Sequence, residues 1–174
     1  MARWNRFSGL LVALTLLRST AADAAEVRVY TDQEIRPALL EALSRAERTI
    51  DIEMYVLSDA EVIEALERAE ARGAAVRVIL DPHQASNQRH LDRLNACGAE
   101  VKWFPVRKPA QMHRKLAILD GARVLAGSVN WTGNGLERNE ELLLVLDDPA
   151  IAQQLTEVFA EDWFQSWLGH QRRY

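Results

Sequence analysis

His113 and Lys115 stand two residues apart at the entry to an apolar run, residues 116–119. Along an extended strand that spacing puts both side chains on one face. A neutral imidazole can attack phosphorus, and an ammonium can hold a phosphoryl oxygen. Ser128 and Asn130 repeat the spacing at the end of the next apolar run, offering a hydroxyl and an amide as donors to phosphate oxygens. Glu141 opens a third apolar run. A carboxylate there could accept the other imidazole proton and fix the His113 tautomer. Asp120 belongs to an Asp-Gly turn, where it either bonds backbone or a basic neighbour, or contacts the reacting groups directly. Gly127 reads as a point of close backbone approach.

A lone histidine is more often an ordinary surface or core residue than a nucleophile, so the weight rests on the set. No metal-ligating set competes with it. The other histidines are His83, His90 and His170, and the single cysteine is Cys97. His83 and His90 fall in a polar stretch, DPHQASNQRH, which reads as a solvated loop and helix start, or as a wall of a substrate entrance. Neither a metal nor a cofactor is expected.

These residues need a scaffold, and 174 residues with 48% apolar and 26% charged content supply one domain with a real core. Arg3 and Arg6, an apolar run at residues 10–17 and the small residues of Ala22-Asp23-Ala24 have the layout of an export signal. The run is too short to cross a bilayer, which takes about 20 apolar residues. The expectation is a cleaved signal over residues 1–24 and a secreted or periplasmic domain over 25–174, with an uncleaved interfacial anchor as the alternative. Cleavage would remove three arginines and one aspartate and make the formal charge of −4 two units more negative. An acidic chain argues mildly against tight non-specific binding of nucleic acid, though a local positive cleft is compatible with it. Cys97 reads as a small buried residue; a disulfide to a second copy is the alternative.

Strand and helix patterns alternate after residue 25. Residues 27–30 read as a strand and 36–46 as a helix with Leu39, Leu40, Leu43 and Ala46 on one face. Residues 49–56 alternate Ile50, Ile52, Met54 and Val56 as a half-buried strand. Ser58 or Asp59 caps the next helix, which Gly73 stops. Residues 76–80 and 101–104 are strands flanking a helix at 86–96. Residues 115–119 and 123–126 form strands around the Asp120-Gly121 turn. Residues 131–135 read as a polar loop or short turn, and 142–146 as a strand covered on both faces. Pro149 opens a final helix running to about Trp167, with Val158, Phe159, Asp162 and Trp163 as a core-facing stripe. The pattern predicts an α/β layered fold, a central mixed sheet flanked by helices.

The spacing H-x-K-x4-D-x6-G-S-x-N, filled by His113, Lys115, Asp120, Gly127, Ser128 and Asn130, resembles the signature of the phospholipase D superfamily. Six residue types at fixed spacing arise by chance on the order of once in a million chains of this size. Glu141 matches the glutamate that follows the signature, and IDIEMYVLSD, GAAVRVILD and GSVNWT are similar to segments of the small bacterial endonucleases and the mitochondrial cardiolipin hydrolases of that superfamily.

The resemblance implies a phospholipase D-like fold and a phosphohistidine mechanism. His113, Lys115, Asp120 and Glu141 would be catalytic, with Lys115, Ser128 and Asn130 on the phosphate and no metal. Most members carry two signatures; this chain has one, which implies a homodimer with one shared active site. The expected substrate is nucleic acid, DNA or RNA, with phospholipid head groups as the alternative. A phosphate- or nucleic-acid-binding module without chemistry ranks last, because no signature residue is lost.

Overall fold

The computed structural model describes residues 25–96 and 98–168. Residues 1–24, expected above to be an export signal, Cys97 and His170 lie outside the described residues. An eight-stranded mixed sheet forms the centre, in the order β1-β7-β6-β5-β2-β3-β4-β8. The strands are β1 (Glu26–Thr31), β2 (Thr49–Met54), β3 (Ala75–Leu80), β4 (Glu100–Trp103), β5 (Lys115–Leu119), β6 (Arg123–Gly127), β7 (Leu142–Asp147) and β8 (Trp167–Leu168). The helices are α1 (Ile35–Arg45), α2 (Ala60–Ala71), α3 (Ala85–Ala96), α4 (Gly133–Glu137) and α5 (Pro149–Gln165).

β2, β3 and β4 run parallel, joined through α2 and α3. β5, β6 and β7 follow as an antiparallel meander beside β2, and β1 closes that edge against β7. The sheet separates two cores. Ile50, Ile52 and Met54 of β2 pack with Leu39 and Leu43 of α1 and Val62, Ile63 and Leu66 of α2 on one face. Leu116 and Ile118 of β5 pack with Ala152 and Phe159 of α5 on the other. All five β5 residues are therefore buried.

The ends of the elements follow from local chemistry. Asp59 caps α2, accepting from the Glu61 and Val62 N–H groups, and Arg36 grips the same carboxylate with two hydrogen bonds of 3.0 and 2.8 Å. Gly73 ends α2 at φ +98°. Asp148 caps α5, with Pro149 in the first turn. Asp120 and Gly121 both take left-handed backbone, φ 55° and 65°, and the Ala122 N–H closes the turn on the Leu119 carbonyl.

Three expectations need correction. β2 is buried on both faces, because Asp51 and Glu53 point into the α5 layer and find arginines there: Asp51 pairs bidentately with Arg77, and Glu53 accepts through one oxygen from Arg114. β7 is not covered on both faces; Leu142 at its start is exposed. Residues 131 and 132 are non-helical, as a loop or short turn requires, but from Gly133 the chain winds into the short helix α4, capped by Thr132 through the Gly135 N–H. On α5, Phe159 and Asp162 are buried as expected of the stripe, while Val158 is exposed.

Candidate functional site

The topology brings one end of five strands together. Antiparallel pairing sets the start of β5 beside the end of β2, with Lys115 opposite Met54. The end of β6 adjoins the start of β5, and the start of β7 adjoins the end of β6, with Gly127 opposite Leu143. The end of β3 lies beside the end of β2, with Leu80 opposite Met54. His113, Lys115, Ser128, Asn130 and Glu141 all sit at this end.

His113 is exposed, but both of its chain neighbours are tied down. The Met112 N–H donates to the carboxylate of Asp81, a fully buried residue that also accepts from the His83 N–H. Arg114 turns to the other side of the sheet and bonds Glu53 and Asp162, while its carbonyl accepts from the Tyr55 N–H at 3.0 Å. The imidazole is thus presented to solvent from a fixed stretch of backbone.

Lys115 is 9% exposed, and its ammonium donates to the His113 carbonyl at 2.9 Å. It lies 3.1 Å from Nδ1 and 3.3 Å from Nε2 of the same ring. An ammonium has only donors, so a ring nitrogen bonded to it must present its lone pair. Burial pulls the Lys115 ammonium below its ordinary range, and the charge of Glu141 opposes that pull. A buried cation beside an exposed imidazole is suited to an anion arriving from solvent.

Ser128 donates its hydroxyl proton to Glu141 and accepts from the Leu142 N–H at 3.1 Å. Glu141 also accepts from Asn139 at 3.3 Å, and its own N–H donates to Asp32. Within one chain, the expected hydrogen bond from His113 to Glu141 is therefore absent among the described residues; the carboxylate holds Ser128 instead. The amide oxygen of Asn130 is buried without a hydrogen-bond partner.

Asp120 is not brought to this cluster. It lies at the opposite end of β5, on the order of 15 Å along the strand from Lys115. Its carboxylate accepts from the backbone N–H groups of Glu47, Arg48 and Thr49. Burial alone would raise the carboxyl, but those donors and the Arg48 charge outweigh it and hold Asp120 below the ordinary range. The geometry sets Asp120 apart from the cluster and gives its carboxylate to the backbone of residues 47–49.

Two residues at the site carry no mark in the motif. The Tyr55 ring lies 4.5 Å from the His113 ring, tilted by 49°, and the Lys115 ammonium is 5.0 Å from its centroid. Gln84 donates to the Tyr55 hydroxyl at 2.9 Å. The only sequence signal was position: Tyr55 follows β2 and Gln84 lies in the polar stretch after β3, and strand ends are where such folds place their sites. No cluster of metal-ligating side chains occurs among the described residues.

The fold and this cluster define a class. The family model for the cardiolipin synthase, PLD-like domain, matches residues 39–163. The chain belongs to this PLD-like domain family, within the phospholipase D superfamily. It is 32% identical to a mitochondrial cardiolipin hydrolase of Chlamydomonas reinhardtii over 71% of this chain and 55% of that protein. It is 32% identical to a phospholipase D of Rickettsia conorii over 73% of this chain and 59% of that protein. The chain thus spans a little over half the length of these relatives. The crystal structure of Nuc, a phospholipase D family member from Salmonella typhimurium, shares the fold with a TM-score of 0.77 at 22% identity, covering 83% of this chain and 97% of that one.

Proposed function

We propose that this chain hydrolyses phosphodiesters through a covalent phosphohistidine on His113. The observation that carries the reading is the pairing of an exposed imidazole with a buried ammonium, 3.1 Å apart, at the converging strand ends. An imidazole nitrogen attacks phosphorus as the bond to the leaving oxygen breaks. Lys115, with Ser128 and Asn130 beside it, neutralises the charge developing on the non-bridging oxygens. A second imidazole protonates the leaving oxygen, then takes a proton from the water that cleaves the phosphorus–nitrogen bond.

One chain offers one His113, so the second imidazole comes from a second copy. The proposal therefore includes a homodimer with one composite site on its two-fold axis. Nucleic acid is the proposed substrate, supported by the compact single-signature domain, which spans nearly the whole of the Nuc chain. Phospholipid is the second reading, favoured by the names of the relatives, cardiolipin hydrolase and phospholipase D. No helix among the described residues is long and apolar enough to cross a membrane. Export to the periplasm or medium is proposed from residues 1–24 alone.

Single-stranded DNA, duplex DNA, RNA and cardiolipin vesicles, assayed side by side with wild type and His113→Asn, test the reading. Wild type should cleave nucleic acid fastest in excess EDTA, and the variant should cleave nothing. Loss of wild-type activity in EDTA with recovery on adding magnesium or zinc would contradict the mechanism, and faster turnover of vesicles would move the substrate to phospholipid.

A further inference from the structure

The proposed mechanism needs His113 in one orientation, yet an exposed imidazole on a two-torsion side chain has several rotamers open to it. The groups that restrict it are few. Lys115 supplies a point charge on a flexible stem, which fixes distance better than angle. The aromatic ring in contact with the imidazole is Tyr55, and the same ring lies beneath the Lys115 ammonium. The negative face of the tyrosine attracts that cation, the more so because Lys115 is nearly withdrawn from water.

Tyr55 is itself held from three directions. Its N–H donates to the Arg114 carbonyl at 3.0 Å, and its carbonyl accepts from the side chain of Asn87 at 2.9 Å. Asn87 is fully buried and also bonds the Leu57 N–H and the Asp81 carbonyl. Gln84 supplies the third hold, on the hydroxyl. The stretch after β3 therefore reaches the nucleophile by two routes: Asp81 holds the backbone before His113, and Gln84 holds the ring beside it.

We propose that Tyr55 is a positioning residue, a wall that sets the His113 imidazole and the Lys115 ammonium, and that Gln84 anchors it through the hydroxyl. The ring does the positioning and the hydroxyl steadies the ring. The inference deepens the phosphodiesterase reading and rests on it for its kinetic test.

Tyr55→Leu, Tyr55→Phe and Gln84→Ala separate the roles. Misplacement of a nucleophile by a fraction of an ångström lowers turnover without weakening ground-state binding. With bis(p-nitrophenyl) phosphate, Tyr55→Leu should lower kcat roughly ten- to a hundred-fold and leave KM within about twofold. Tyr55→Phe and Gln84→Ala leave the ring in place and should keep most of the wild-type kcat. Wild-type kcat in Tyr55→Leu, a loss carried by KM, or Tyr55→Phe as poor as leucine would each overturn the proposal. A second readout needs no turnover: the imidazole C–H resonance of His113, assigned by its disappearance in His113→Asn. It should be single and ring-current shifted in wild type and Tyr55→Phe, and move towards the free-imidazole position in Tyr55→Leu. An unmoved resonance would overturn the positioning role. A wild type that hydrolyses no phosphodiester would remove the function reading, while the resonance would still decide the inference.

Discussion

A Cβ on Gly127 would lie 2.0 Å from the carbonyl oxygen of Leu142. β6 and β7 approach so closely at this point that only a hydrogen fits between them. The approach lets the Ser128 N–H reach the Leu142 carbonyl at 3.0 Å and the Ser128 hydroxyl reach Glu141. The glycine of the motif thus acts through the backbone, bringing a hydroxyl and a carboxylate from different strands to one place. Gly127→Ala must push the strands apart, at a cost of about 2–3 kcal/mol. Denaturant unfolding should show that loss, together with a fall in kcat. An alanine variant of wild-type stability would contradict the close approach.

Asp120 and Asp147 belong to the other end of the sheet. Hydrogen bonding and charge from Arg123, aided by Arg28, lower the Asp147 carboxyl against the pull of its burial. Asp120 is lowered by backbone donors. For a carboxyl depressed on folding, the stabilisation is present above the unfolded value, near pH 4, and is lost as pH falls through the lower folded value. Acid unfolding should therefore steepen below about pH 4. Asp120→Ala strands the backbone donors of residues 47–49 and should cost about 1–3 kcal/mol at neutral pH while flattening that acid limb. Its kcat should stay close to wild type. A kcat collapse with unchanged stability would return Asp120 to the chemistry.

Arg114 serves two carboxylates, Glu53 and Asp162, and joins the strand behind the nucleophile to α5. Glu53 is fully buried, and one of its oxygens has no partner. Burial pushes its carboxyl up despite Arg114, and Asp162 adds to the rise. A carboxyl raised on folding loses stabilisation as pH rises through its folded value. Glu53→Gln should therefore be tolerated at neutral pH within about 1 kcal/mol and gain on wild type as pH rises. Arg114→Met leaves the carboxylates uncompensated and should cost about 3 kcal/mol. Equal losses in the two variants, read by thermal unfolding, would contradict this division.

Lys115→Ala removes both a donor and a buried positive charge from the proposed phosphate site. By comparison with the loss of one oxyanion donor, kcat should fall by a factor of about 100–1,000. Steady-state kinetics on bis(p-nitrophenyl) phosphate checks this. A change confined to KM would place Lys115 in ground-state binding alone.

The signature was legible because its residues sit within one meander, where spacing translates directly into strand position. The alternating strands and helices were legible for the same local reason, as were the Pro149 helix start and the cap of α2, read as Ser58 or Asp59 and found at Asp59. What escaped depends on partners remote in sequence. Asp51 and Glu53 read as solvent-facing because alternation shows which residues share a face and not what covers it; Arg77, Arg114 and Asp162 come from three other segments. Tyr55 looked like the tail of a strand until β5 was laid beside β2. Glu141 and His113 looked complementary in type, but the close approach of β6 and β7 at Gly127 gives the carboxylate to Ser128. The Asp-Gly turn left Asp120 two roles, and the backbone donors that hold its carboxylate, residues 47–49, are remote in sequence.

The central claim is a composite site that takes its nucleophile and its acid from two copies of His113. Subunit exchange tests it most directly. Wild-type and His113→Asn chains are mixed in varying proportion, complete exchange is shown with differently tagged chains, and phosphodiesterase activity is plotted against the wild-type fraction. If each dimer has one site that needs both imidazoles, mixed dimers are inactive and activity follows the square of the wild-type fraction. Activity in direct proportion to that fraction would mean that each chain works alone, and would contradict the shared site.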